Sequence, residues 1–423
     1  MRSLFRAIIF LCLGIFLSSC LSSSNLSGWT IFIYMAGDNN LSSAANLDLL
    51  EMETIGSDSH LQVVVQVDTL NALGGGHVLR LSIEQGRADL IEDLGEKNTA
   101  DPRTLTDFLV WATGHYPSQR RALILWDHGS GYQKPVAGAV GKPPVQAYGI
   151  LQDDTDGTAC CLSNAIVRQA IQASGVHFDL LGFDASQMGQ IETAYEFRNT
   201  ADLLVFSQET GQANGWDYAA ILSELRLSPG MTTEALADLI VRSYRNFYEE
   251  VFYPANPNFE QYLTVSAVRL GPDMEELTAL TDDLAVKLTA AMQNPSTRDA
   301  TVSAIGAARD AAQAMDLLTA PYVYLDLFDL ADKLLEQAGL DPSIRASLAN
   351  LIAAKDRIVI SEYHGRARPA ATGLSIVFFK LPEAVNVNVF DPDYVSGARD
   401  LDFINDTGWD EFLSAYYTAA GLL

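Results

Sequence analysis

The spacing of apolar and polar positions divides this chain into buried strands and amphipathic helices. Trp29-Thr30-Ile31-Phe32-Ile33-Tyr34-Met35-Ala36 is continuously apolar and β-rich, the pattern of a strand covered on both faces. Gly37-Asp38-Asn39-Asn40 breaks it, and Leu41, Ala44, Ala45, Leu47, Leu49, Leu50 and Met52 follow at helical spacing. The run 61–67 predicts a strand, 71–76 a turn, and 77–83 a returning hairpin strand. Next come a helix over 104–113, a strand over 122–126 and a long loop rich in Gly and Pro over 130–158. A helix over 164–174, a strand over 178–183, a helix over 188–198 and a strand over 203–206 complete this half. Strands alternating with helices predict βαβ units around a mostly parallel sheet. After about residue 225 the pattern turns helix-rich, with helices over 232–250, 273–293, 297–316, 325–338 and 342–356. Strand-like runs persist only at 263–270 and 373–379. The expected organisation is an α/β region over 29–225, followed by a helix-rich, mixed α/β C-terminal domain over 226–423.

The first residues follow a different pattern. Arg2 and Arg6 precede an apolar run over 7–17, too short to span a bilayer core of about 30 Å as a helix. It ends in Leu17-Ser18-Ser19-Cys20, which resembles a bacterial lipobox. The expectation is a signal peptide over 1–19, a lipidated Cys20 and a short Ser-rich tether over 20–28. The alternative is an ordinary secretory signal with an incidental Cys. With Leu rather than Asp at 21, the lipoprotein pattern implies an exported protein of the cell envelope, in the outer membrane if the cell has one. Lys and Arg number 27 against 53 Asp and Glu, a net charge of −26, and no basic stripe is visible. That balance repels phosphate backbones, so nucleic acid is excluded and basic peptides or cations are the expected partners. Of the four cysteines only the adjacent Cys160 and Cys161 would remain beside Cys20 in the mature chain, which gives neither a disulfide framework nor a Cys-x-x-Cys motif.

In an open α/β sheet, ligands bind beyond the carboxyl ends of the strands. That rule selects Gly37-Asp38-Asn39-Asn40, Asp127-His128-Gly129-Ser130-Gly131 and Asp184-Ala185-Ser186-Gln187-Met188-Gly189. His128 follows a buried-type strand directly, and the glycines after it allow close backbone approach. These residues also carry a family resemblance. Trp126-Asp127-His128-Gly129-Ser130-Gly131 resembles the His motif of the clostripain-like cysteine peptidases, relatives of the caspases. The run 181–189 resembles their nucleophile motif, and 207–218, ending Gly215-Trp216-Asp217-Tyr218, resembles the segment after it. Further matches at 34–41, 326–331, 373–376 and 409–413 carry the resemblance across about residues 29–417.

The resemblance implies a caspase-like three-layer fold. It also implies a thiol nucleophile assisted by His128, with a backbone N–H near Gly129 stabilising the oxyanion. By the same resemblance Asp184 lines a pocket for Arg or Lys; read from the residues alone, it equally suits a cap on the following helix. The departure falls at position 186, where the family places Cys and this chain has Ser186. A thiol has a free pKa of about 8.5 and is partly ionised at neutral pH, whereas a hydroxyl needs a base within about 2.6–3.2 Å. Three readings follow: a lipid-anchored homologue that recognises basic peptides with impaired cutting, an active endopeptidase with Ser186 as nucleophile and His128 as base, or a surface scaffold. Asp153-Asp154-Thr155-Asp156-Gly157 concentrates hard oxygen ligands without the final Glu of an EF-hand loop, and reads as an acidic turn or a calcium ligand set. The family is known to use calcium. No His/Cys spacing suggests a transition metal.

Overall fold

The computed structural model describes residues 27–70, 75–132, 149–155, 161–315, 323–387 and 389–423. The leader, Cys20, most of the tether, Cys160, and Asp156 and Gly157 of the acidic turn lie outside them. Among the described residues twelve strands fall in two sheets: β1 (Ser27–Gly37), β2 (Leu61–Thr69), β3 (Leu79–Glu84), β4 (Arg87–Asp93), β5 (Ser118–Trp126), β6 (Phe178–Asp184), β7 (Ala201–Phe206), β8 (Thr264–Arg269), β9 (Ala314–Met315), β10 (Tyr324–Asp326), β11 (Val359–His364) and β12 (Ser375–Val377). The large sheet has the order β11-β8-β7-β6-β5-β1-β2-β3-β4. Its centre, from β2 to β7, is parallel, and each flank ends in antiparallel strands. The order reverses at β1, which lies between β2 and β5, so a crevice opens at the carboxyl ends of β1 and β5.

Two apolar layers cover the sheet. Phe32 and Tyr34 of β1 enter one, with the helices Pro102–His115, Asn164–Ala173 and Pro272–Gln293. Ile31, Ile33 and Met35 enter the other, with Ser42–Ile55 and Thr233–Phe247. Alternate side chains of one strand thus feed opposite layers, as the continuous apolar run requires. This is the expected mostly parallel three-layer sandwich.

Several expectations are corrected. The sheet runs across the boundary drawn at 225, because β8 and β11 pair at its edge. β11 continues directly from the helix Pro342–Ile358 and was absent from the pattern, as was β4. The helix expected over 297–316 stops at Ala311 and gives way to β9. The helix expected from 325 starts at Leu327, capped by Asp326, whose carboxylate accepts from the amides of Phe328 and Asp329. The helix expected over 188–198 is shortened to Ile191–Glu196, because 187–190 form the turn after β6. On Ser42–Ile55 the apolar spacing misplaced the buried face: Leu47 and Leu50 are exposed, while Asp48 is buried. Among the described residues no helix is long and apolar enough to cross a membrane.

Candidate active site

The three strand exits converge on one cleft of about 460 Å³, lined by Asn40, His128, Gly129, Asp184, Ser186, Gly211 and Trp216 among others. Neighbouring exits are tied by the backbone, with the Asp127 amide donating to the Asp184 carbonyl at 3.3 Å. A Cβ on Gly129 would stand 2.4 Å from the Ser186 carbonyl oxygen, so only glycine lets the His loop lie against the Ser186 loop.

The His side is braced from β1. Asp127 is buried; its Oδ1 accepts from Asn39 Nδ2 at 2.8 Å and its Oδ2 from the Gln152 amide. His128 Nε2 lies 2.7 Å from Asn40 Oδ1, an atom that only accepts. The imidazole therefore donates from Nε2, and Nδ1 keeps the basic lone pair. Burial lowers the pKa of His128, which favours this neutral form.

Ser186 follows β6 at the mouth of the cleft. Its Oγ accepts from the Gly211 amide at 3.0 Å, and among the described residues no hydrogen bond joins it to His128. The next residue, Gln187, has φ +57°, an uncommon left-handed geometry for a side-chain-bearing residue. That turn is held from the segment after β7: the Gln187 amide donates to Glu209 O at 3.0 Å and the Gly189 amide to Ser207 O at 2.8 Å. Glu209 is fully buried and pairs with Arg368 Nε at 2.5 Å, so a cation from the second half of the chain anchors the segment.

Asp184 is built differently. It is buried, and its Oδ2 accepts from the Tyr218 hydroxyl at 2.9 Å and the Trp216 amide at 3.2 Å. Tyr218 opens the helix Tyr218–Leu227, whose cap Asp217 accepts from the Ala220 amide. Asp184 therefore does not cap the following helix, Ile191–Glu196, which begins too far along the chain. The Trp216 ring lies over the β6 backbone; a Cβ on Gly182 would meet it at 2.6 Å. Beneath Asp184 sits a second carboxyl, Asp48, whose Oδ2 accepts from Trp126 Nε1 at 2.7 Å. Among the described residues no Lys or Arg pairs with Asp184, and burial pushes its pKa up to about 7. Burial, then the Asp184 charge, pushes Asp48 to about 9.

The remaining sequence candidates lie apart. Cys161 is buried and is not among the cleft-lining residues. Asp153 Oδ2 is occupied by the Thr99 amide and hydroxyl, and Asp154 Oδ1 accepts from Gln152 Nε2. Sequence reasoning missed Asn40, Asp48, Trp216 and Tyr218 as site partners. Asn40 was signalled by its place in the first selected strand exit, and 216 and 218 through the motif they end.

A mostly parallel sheet whose strand exits converge on one cleft is the framework of the caspase-like peptidases. The sequence profile of the Clostripain family matches residues 33–416, and the chain belongs to that family. Clostripain of Hathewaya histolytica is 23% identical over 404 residues, covering 82% of this chain and 74% of that one. A secreted C11 cysteine protease from Bacteroides thetaiotaomicron, solved with an irreversible peptide inhibitor, superimposes with a TM-score of 0.62 at 18% identity, covering 93% of this chain and 99% of its own. An inactive zymogen C11 protease from Parabacteroides distasonis gives 0.63 at 19% identity, with 90% and 98% covered. These structures confirm the caspase-like fold.

Proposed function

We propose that this protein is a lipid-anchored clostripain-family homologue that captures peptides through Arg or Lys side chains, with cutting impaired by Ser186 at the nucleophile position. The observation that carries this reading is Asp184. It is a buried carboxyl with two donors and no cation among the described residues, at a strand exit two positions before Ser186. A guanidinium or ammonium entering the cleft would supply the missing charge. The Gly129 amide side of the cleft would face the bound carbonyl.

Impairment is supported by what surrounds the hydroxyl. The Oγ accepts from an amide, and the imidazole that would have to activate it is bonded to Asn40. A hydroxyl without a bonded base is a weak nucleophile, whereas a thiol ionises without one. One observation favours the active serine endopeptidase instead: His128 is held neutral and lines the same cleft as Ser186. The membrane anchor rests on the Leu17-Ser18-Ser19-Cys20 pattern and the tether.

The test is turnover of Arg- and Lys-terminated fluorogenic peptides by the wild type, Ser186→Ala and Ser186→Cys. Cutting only by Ser186→Cys supports a disarmed site. Cutting by the wild type, lost in Ser186→Ala, establishes the serine enzyme. For the anchor, Cys20→Ser is expected to move the protein from the membrane to the soluble fraction.

A further inference from the structure

The amino ends of the strands form the edge of the sheet opposite the cleft. β1, β2 and β5 begin there side by side, in parallel register. β1 begins against the segment 227–231: a Cβ on Gly28 would stand 2.4 Å from the Pro229 carbonyl oxygen, and Trp29 Nε1 donates to Met231 O at 3.0 Å. In that segment Leu227 is 81% exposed, more than any other large apolar side chain among the described residues. Cations gather around the same place. Arg120 lies over the Trp29 ring at 5.8 Å, Arg121 follows it in β5, Arg226 Nη1 donates to Ile55 O at 2.6 Å, and His60 is exposed just before β2. Among the described residues no Asp or Glu pairs with any of these four side chains, in a chain of net charge −26. Asp58 shares the loop of His60, but its Oδ1 accepts from the amides of His60 and Leu61. A bare leucine among unpaired cations is the pattern of a surface that meets anionic lipid.

We infer that this amino-end edge rests on the lipid surface, so that the cleft opens away from the membrane. The inference rests on the proposed lipid at Cys20 and adds what that anchor does to the site. Ser27 is seven positions after Cys20, a reach of at most about 25 Å. β1 spans 11 residues, about 33 Å from this edge to its strand exit. With the cleft turned to the bilayer, the link would have to run back past the whole of β1, and it is too short. A molecule lying on its side stays within reach, but leaves Leu227 in water and the arginines without phosphates. Edge-down, Leu227 enters the headgroup boundary and the arginines meet lipid phosphates. The cleft then stands about a strand length above the lipid, and the peptides it takes are those that arrive from the aqueous side.

The test uses the lipidated mature chain carrying Cys160→Ala and Cys161→Ala, in vesicles of phosphatidylethanolamine and phosphatidylglycerol. A fluorophore attached at Leu227→Cys is expected to be quenched several-fold by lipids with a nitroxide on the headgroup. One attached at Ala213→Cys, exposed at the cleft, is expected to keep its full emission. Phosphatidylcholine in place of phosphatidylglycerol should weaken the first signal, because it removes the net negative charge that attracts the arginines. In a membrane-held chain, quenching that is equal at the two positions, inverted or missing from both overturns the edge-down pose and leaves the anchor standing. Quenching at position 227 that ignores lipid charge overturns the part given to the arginines. A chain that stays soluble and carries no acyl group on Cys20 by mass spectrometry overturns the anchor and the pose together.

Discussion

The two ends of the cleft are built to different standards. At one end Asp184 is buried, wrapped by a hydroxyl and an amide and backed by Asp48. At the other, Ser186 and His128 share the cleft but bond to other residues, Gly211 and Asn40. A buried charge is costly, so its surroundings must be complete before any ligand arrives. A half-exposed hydroxyl and imidazole carry no such requirement. The Asp184 end is therefore the preorganised one, and its integrity does not depend on the groups next door.

The sharpest way to break this contrast is Asp184→Ala. Removing one partner of a desolvated ion pair costs about 2–5 kcal/mol, so affinity for Arg peptides is expected to fall ~30-fold to several thousand-fold, as read by calorimetry. An unchanged affinity would dissolve the distinction between the two ends. Next in size, Ser186→Cys is expected to raise turnover ~10²-fold or more without altering peptide affinity, and His128→Ala in that background should remove the gain.

The pH profile sharpens the comparison further. Asp184 has its pKa raised to about 7 in the empty protein, so the pocket holds a proton at acid pH and must release it to take a cation. Affinity for Arg peptides should fall ~10-fold per pH unit below about 7 and level off above it. For stability the sign is opposite: a carboxyl raised from 3.8 to about 7 favours the folded state at low pH, and that contribution is lost as pH rises through about 7. Smallest of all, Asn40→Ala should cost the His end about 0.5–1.5 kcal/mol of positioning, seen as a several-fold loss of turnover in the Ser186→Cys background with peptide binding intact.

The strand exits were legible in the sequence because buried parallel strands are continuous apolar runs, and ligands gather where they end. His128, Ser186 and Asp184 all sit at such exits. What the pattern did not show depends on contacts distant along the chain. β11 reads as the tail of a helix, since no Gly or Pro separates Ile358 from Val359, and only pairing with β8 makes it a strand. Asp48 is hidden by its chemistry: a carboxylate within an amphipathic repeat reads as outward-facing, and only the Trp126 indole accounts for its burial. Asn40 lay within the first selected exit, but nothing local paired it with a His 88 positions away.

One small residue governs the packing at the Asp184 end. The Trp216 ring occupies the space that a methyl group on Gly182 would take, and the Trp216 amide is one of the two donors on Asp184. The indole can pack against β6 in this way only while that methyl is missing. On the proposed reading, the room left beside Asp184 for a guanidinium or an ammonium is thus set by an atom that the chain does not contain. A single Gly182→Ala step would displace the Trp216 ring while touching neither the acid nor the hydroxyl.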